Sequence, residues 1–146
     1  MEALGLCLML VAAAPGGGAA EPKTPVFVAA ERFTLAWTHS IERQRWEEDY
    51  VVRPGRTPGA PPQLHASAAR VRGSAAGMEP PDGARLVGGW YVYTPAIAHP
   101  AELRLTRSEF TADYELCLQG RCRPMSHWLP SDGGVTRLIA CRAATN

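Results

Sequence analysis

A histidine and a run of acids are the residues of this sequence best suited to acid–base chemistry. His39 ends an aromatic segment, and Glu47, Glu48 and Asp49 follow it within ten positions. An imidazole beside a partly desolvated carboxylate can transfer protons or bind a ligand. The same pair can be structural, because a buried polar side chain needs a partner and structural pairs also perturb pKa values. Whether the pair is functional or structural depends on how the strands that carry these side chains position them.

Those strands are predicted by alternation. Apolar residues alternate with polar or small ones from Phe33 to Ser40, and a similar pattern resumes at Trp46 after a charged gap. A period of two is typical of a half-buried strand. If the two runs pair about a turn at residues 42–45, His39 faces Glu48 on the apolar face. Glu47 and Asp49 then point to the opposite face, together with Ser40.

Other chemistries are less well supported by the residue pattern. Ser40 follows His39 on one strand, so the two side chains point to opposite faces and do not form a nucleophile–base pair. The four histidines are scattered and the close cysteines lack a second CxxC, which predicts no metal site. Nothing in the sequence indicates a cofactor. With a net charge of +1 and no recognisable module motif, the chain is not expected to bind nucleic acid.

The N-terminus predicts export. Residues 3–14 are an uncharged apolar run, followed by small residues and then by polar ones. About 12 apolar residues are too few to span a bilayer but suit the core of a signal peptide. We therefore predict a signal peptide at residues 1–20, a periplasmic or otherwise exported domain at residues 21–146, and no stable membrane span after cleavage.

The rest of the chain reads as strands separated by turns. Turn signals recur about every 8–12 residues, and no long amphipathic helix is apparent. The predicted fold is all-β, a single antiparallel β-sandwich or barrel-like domain. Its predicted core comprises Phe33, Leu35, Trp37, Ile41, Trp46, Tyr50, Val52, Leu86, Trp90, Val92, Leu103, Leu105, Leu116, Leu138 and Ile139.

The cysteine spacing predicts one disulfide. Cys117 and Cys122 flank a two-residue turn at Gln119-Gly120, which places them opposite each other in a hairpin. If the signal peptide is removed, Cys141 is left as the single free thiol.

The stretch "FTLAWTHSIERQRWEEDY" and the later "GSAAGM" resemble the signature of the family called domain of unknown function 1850. The second motif lies in a small-residue loop from Gly73 to Met78, where a backbone can approach a ligand or simply fit a tight connection. The residues on matching positions, together with the start of the loop, are the candidate ligand- or partner-binding residues. They are His39, Ser40, Glu47, Glu48, Gly73, Gly77 and Met78.

The resemblance implies an exported bacterial domain associated with TRAP transporters of the TAXI type, and no assigned activity. Our leading hypothesis is therefore a non-enzymatic accessory or binding domain for a TRAP–TAXI uptake system, with a TAXI-type receptor or TRAP permease as partner. One alternative is an enzyme that uses His39 and Glu48 as a proton-transfer pair. Another is a structural partner of a permease, docking through the aromatic residues Trp90, Tyr91 and Tyr93.

Overall fold

A computed structural model describes residues 2–11, 24–39, 43–73 and 82–144 of the chain. It contains eleven strands among these residues and a single 3-10 turn at Met125–His127. The strands are β1 (Glu2–Leu10), β2 (Val26–Ala29), β3 (Arg32–Thr38), β4 (Arg45–Arg53), β5 (Gln63–Arg72), β6 (Arg85–Val87), β7 (Trp90–Tyr93), β8 (Leu103–Thr106), β9 (Glu115–Leu118), β10 (Arg121–Pro124) and β11 (Val135–Ala144).

The strands form two antiparallel sheets that pack together. The smaller sheet has the order β2-β1-β11-β8, and the larger has the order β10-β9-β3-β4-β5-β7-β6. Leu6, Leu8 and Leu138 from the smaller sheet meet Phe33 and Leu35 from the larger one in a shared buried cluster. Fully burying such a side chain contributes about 1.5–3 kcal/mol each. The predicted all-β, sandwich-like fold is confirmed.

The apolar N-terminal run forms strand β1, which lies inside the smaller sheet. It pairs with β2 on one side and with β11 on the other, and its Leu6 and Leu8 are fully buried. Cys7 forms a disulfide with Cys141 on β11. In the full chain Cys141 is therefore not a free thiol, and the expectation of a free Cys141 applies only to a chain from which residues 1–20 have been removed. Cleavage of residues 1–20 stays a prediction, and it would take a central strand out of this sheet.

The predicted register of the β3–β4 hairpin is wrong by four residues. Glu48 lies opposite Leu35, not His39. The connection is longer than expected: the His39 N–H donates to the Gln44 carbonyl at 2.9 Å, and Thr38 is the last strand residue of β3. Aromatic pairing accompanies the observed register, since the rings of Trp37 and Trp46 stack at 6.2 Å. Because the shift is an even number of residues, Glu48 keeps its predicted inward face.

The cysteine hairpin and most of the predicted core are as expected. Cys117 lies opposite Cys122 and is bonded to it, across a turn in which Gln119 and Gly120 both have positive φ. Positive φ at both central residues is the two-residue hairpin geometry that the spacing predicted. The prediction of Leu86 as core is wrong: it lies on the edge strand β6 and is 62% exposed. Four other residues predicted as core are only half-buried and lie outside the core cluster, namely Trp46, Trp90, Val92 and Ile139. Ile41 lies outside the described residues.

Candidate functional site

A cleft of about 520 Å³ opens between the two sheets. The walls are formed by inward-facing residues of β3, β4, β5 and β7 from the larger sheet, by β8 from the smaller sheet, and by the segments that flank β8. The lining residues are Leu35, Trp37, Glu48, Tyr50, Ala66, Tyr93, Pro95, Ala96, Ile97, Pro100, Glu102, Leu103, Arg104, Leu105 and Tyr114. The lining is thus mainly apolar and aromatic, with a few polar groups.

Glu48 is the acid on the larger-sheet wall of this cleft. Its carboxylate accepts a hydrogen bond from the Tyr50 hydroxyl at 3.0 Å. Burial raises the pKa of Glu48 above its ordinary value, although the Tyr50 hydrogen bond opposes that shift. Among the ion pairs of the described residues, none involves Glu48. The cleft therefore contains a partly desolvated acid that forms no ion pair with the described residues.

The two acids that flank Glu48 lie on the opposite face of the sheet. Glu47 pairs with Arg45 at 2.7 Å and with Arg70 at 2.7 Å, and Arg70 also reaches Asp49 at 2.8 Å. Burial disfavours the charge on Glu47, but the hydrogen bonds from both arginines hold its pKa below the ordinary value. This face is therefore a network of compensated charges.

Three further aromatic rings surround the cleft around Glu48. The ring of Trp37 lies 5.9 Å from that of Tyr114, and Tyr93 meets Trp46 edge-to-face at 6.4 Å. Burial raises the pKa of Tyr93 and of Tyr114, and the negative charge of Glu48 adds to the shift in both. Both phenols therefore lie within the electrostatic reach of one carboxylate and stay protonated at neutral pH.

A buried ion pair positions Tyr114. Asp113 accepts hydrogen bonds from Arg107 Nε and Nη2, each at 2.9 Å, and from the backbone N–H groups of Tyr114 and Ser126. Burial opposes ionisation of Asp113, yet the Arg107 guanidinium holds the pKa of this acid below its ordinary value. The segment that carries Tyr114 is thus fixed by groups outside the cleft.

The rim of the cleft carries the remaining charges and an exposed apolar side chain. Glu102 pairs with Arg137 and, at 3.6 Å, with Arg104. Ile97, which also lines the cleft, is 70% exposed. The lining therefore includes charged side chains as well as an exposed apolar one.

The structure separates the residues that the sequence grouped. Glu48 lies in the cleft, Glu47 lies in the outer network, and His39 is exposed, directly after the end of β3. Gly73 packs elsewhere: a Cβ there would lie 2.4 Å from Cε2 of Tyr91, so glycine lets that ring approach the backbone. Three candidates, Ser40, Gly77 and Met78, lie outside the described residues.

Sequence reasoning missed the aromatic wall of the site. Tyr93 and Tyr114 come from distant segments, and Tyr93 was assigned to a docking surface. The alternation in "WYVY" does place Tyr91 and Tyr93 on one face and Trp90 on the other. That pattern could have assigned Tyr93 to the inner face, but it could not have identified the strand opposite.

No group of three or more His, Cys, Asp and Glu side chains in the described ranges is placed to hold a metal ion. Within the same ranges, no helix has the length and apolar character needed to cross a membrane.

Comparison with known proteins gives one match. No curated protein and no solved structure matches the chain. A family model described as "Domain of unknown function (DUF1850)" matches residues 33–125. The matched range covers more than half of the chain and includes every residue that lines the cleft. The chain therefore belongs to the DUF1850 family.

Proposed function

We propose that this domain binds a small organic molecule in the cleft between its two sheets. The observation that carries the proposal is the cleft itself, which combines aromatic walls with one desolvated acid, Glu48. Its volume of about 520 Å³ lies within the usual range of ligand pockets, roughly 300–1,000 Å³. Mainly apolar walls with a few placed polar groups are the usual composition of such pockets.

The polar groups are not explained by packing. A carboxyl group and tyrosine hydroxyls that face a cleft lose hydration without gaining the contacts of a filled core. Leucine or valine at position 48 would fit the alternation of β4 as well, and would avoid that loss. Glu48 therefore favours a role in recognition.

Catalysis by a His39–Glu48 pair receives no support from the geometry. His39 lies beside Gln44, and Gln44 is four strand positions from Glu48, roughly 13 Å along the strand. A proton-transfer pair needs its two groups within hydrogen-bond reach or one water apart. A binding role, which needs only the cleft, is the better-supported function.

We further infer that the domain works in an exported compartment as an accessory to a TRAP–TAXI uptake system. The Cys117–Cys122 disulfide lies within the predicted mature domain, and disulfides are typical of oxidising compartments. The partner is a TAXI-type solute receptor or a TRAP permease, as the likeness in the histidine-and-acid segment implies. In this role the cleft is the site at which the accessory domain binds its small molecule.

The permease-docking alternative has less in its favour. Trp90, Tyr91 and Tyr93 do not form one surface, because neighbouring residues of β7 face opposite sides of the sheet. Tyr93 lines the cleft, and the guanidinium of Arg72 lies over the Trp90 ring at 5.4 Å. An aromatic docking face made of all three is therefore not present.

The binding proposal is tested by blocking the cleft. Ala96 lines it and is exposed at the rim, so Ala96→Trp should fill the mouth without disturbing the core. Ala98 is also exposed but is not among the residues that line the cleft, which makes Ala98→Trp the matched control. Native mass spectrometry of protein purified from its own host should show a small-molecule adduct in the wild type and in Ala98→Trp. Absence of an adduct from the wild type, or its persistence in Ala96→Trp, would contradict the proposal.

The transport role needs a cellular measurement. Deletion of the gene should reduce uptake of the solute carried by the associated TRAP–TAXI system. Wild type and Ala98→Trp should restore uptake, whereas Ala96→Trp should not. Normal uptake in the deletion strain would refute the accessory role and leave ligand binding to be judged by mass spectrometry.

A further inference from the structure

We infer that the molecule bound in this cleft is an organic cation, an ammonium group with apolar substituents. The inference rests on the proposed function, since it names the ligand class of the same cleft. It is carried by the arrangement of aromatic rings around an acid that has no cationic partner among the described residues.

Four aromatic residues share the cleft with Glu48. They are Trp37, Tyr50, Tyr93 and Tyr114. The Trp37 and Tyr114 rings contact each other at 5.9 Å and are tilted by 50°, so they do not stack flat on each other. Quaternary and alkylated ammonium groups bind against such ring faces through the electrostatic attraction of a cation for a π system.

The acid supplies the countercharge. The Glu48 carboxylate is partly desolvated, and the hydrogen bond from Tyr50 at 3.0 Å is its contact in the described cleft. A desolvated charge is stabilised when an opposite charge reaches it. The tyrosine hydroxyls stay neutral because burial and the Glu48 charge raise their pKa values, so they do not add a second negative charge. A single positive charge is therefore the best complement to this interior.

The arginine at the rim does not reverse the preference for a cationic ligand. Arg104 is the only guanidinium among the lining residues, and its side chain is 55% exposed. Its charge is shared with Glu102, which also pairs with Arg137. An anion held by Arg104 is the competing possibility, and the experiment below includes it as an outcome.

Three probes of similar shape separate the possibilities by charge alone. Choline carries a trimethylammonium group, 3,3-dimethylbutan-1-ol is its uncharged carbon isostere, and 3,3-dimethylbutanoate has the same tert-butyl group with a carboxylate. Titration calorimetry of the full chain should give an affinity for choline about tenfold or more above that for the alcohol. The carboxylate should bind most weakly. Equal affinities for choline and the alcohol, a preference for the carboxylate, or no binding of choline would each overturn the inference.

Matched variants test the two parts of the cage. Glu48→Gln should weaken choline binding about tenfold or more and leave the alcohol unchanged, whereas Glu47→Gln, on the other face, should change neither. Tyr93→Leu should weaken choline binding about threefold to tenfold, and Tyr93→Phe, which keeps the ring face, should stay near wild type. The unchanged affinity for the alcohol reports that each variant still forms the cleft. If Glu48→Gln lowered both affinities equally while the variant unfolded as cooperatively as the wild type, the carboxylate would not discriminate the cation from its neutral isostere, and the inference would be overturned.

Failure of this inference and failure of the proposed function look different. A host-derived adduct that Ala96→Trp removes, together with no preference for choline, would keep the binding function and reject the cation. No adduct in the wild type and no binding of any of the three probes would reject both.

Discussion

Strand β4 places three consecutive acids in two different environments. Glu47 and Asp49 face the outer side of the larger sheet, where Arg70 bonds to both at 2.7 and 2.8 Å. Glu48, between them, faces the cleft and accepts a hydrogen bond from the Tyr50 hydroxyl at 3.0 Å. The same residue type at adjacent positions therefore has its pKa lowered on one face and raised on the other. The acids of the outer face are paired with arginines, whereas the acid that faces the cleft forms no ion pair with the described residues.

The largest expected effect concerns the sheet that covers the inner face. The Cys7–Cys141 disulfide joins residues 134 positions apart, and Cys117–Cys122, on the outer face, joins residues 5 apart. Because a longer loop loses more unfolded-state entropy when it is closed, replacing Cys7 and Cys141 by alanine should cost about 5 kcal/mol of unfolding free energy. Replacing Cys117 and Cys122 should cost about 2 kcal/mol. Urea unfolding of the two double variants measures both.

The two disulfide variants also separate the faces. Loss of the Cys7–Cys141 disulfide should loosen the smaller sheet, which packs over the inner face of the larger one. The solvent exposure of Trp37 should then increase, and the tryptophan fluorescence should shift to longer wavelength before global unfolding. The outer-face variant should leave the fluorescence unchanged. Equal losses of stability, or a fluorescence shift in the outer-face variant alone, would contradict the division between the two faces.

The next effect concerns the outer network. Arg70→Met leaves Asp49 without its arginine and Glu47 with Arg45 alone. These groups are only partly buried, so the loss should be about 2 kcal/mol, between the values for exposed and buried pairs. Arg72→Met is the matched control on the same strand and face; it removes a cation–π contact with Trp90 and should cost about 0.5 kcal/mol. Thermal and urea unfolding should rank Arg70→Met well below Arg72→Met, and the reverse ranking would contradict a stabilising network.

Sequence patterns predicted the faces of the hairpin better than its pairing. Alternation assigned Glu48 to the inner face and Glu47 to the outer one, because side-chain direction follows a period of two. The register was missed by four residues, since nothing local distinguishes a short turn from the longer connection at residues 39–44. The stacking of Phe33 on Tyr50 at 5.0 Å accompanies the observed pairing, and it appears only once both strands are in place.

The cleft was less predictable than the fold. Its walls bring Trp37 and Tyr114 together from strands and segments far apart in the chain, and such contacts leave no local signature. The N-terminal strand was missed for another reason: an apolar run of that length suits both a signal peptide and a buried strand. The disulfide hairpin was predictable because a two-residue turn fixes its own register.

A smaller pair of effects compares the two faces of the larger sheet by the same substitution, glutamate to glutamine. Glu47→Gln removes the charge from bonds to Arg45 and Arg70 and should destabilise the domain by about 1 kcal/mol at neutral pH. Glu48→Gln removes a charge that burial disfavours and should stabilise it by about 0.5 kcal/mol, because this side chain keeps some solvent contact. Urea unfolding of both variants gives the two signs. Destabilisation of similar size in both would show that the acids share one environment.

The smallest effect is the pH dependence of those two differences. Glu48 has a raised folded-state pKa, so its contribution to stability is present below its ordinary pKa of 4.5 and is lost as the pH rises through the folded value. Glu47 has a lowered folded-state pKa, so its contribution to folding stability is present above its ordinary pKa of 4.5. That contribution is lost as the pH falls through the folded-state pKa. Between pH ~3 and ~8, the gain from Glu48→Gln should therefore grow with pH from near zero. The loss from Glu47→Gln should also grow with pH, starting from near zero at the acid end. Unfolding curves at several pH values should show the two variants diverging from the wild type in opposite directions. If the stability gain from Glu48→Gln shrank as the pH rose, Glu48 would be stabilised as a carboxylate and would have a countercharge.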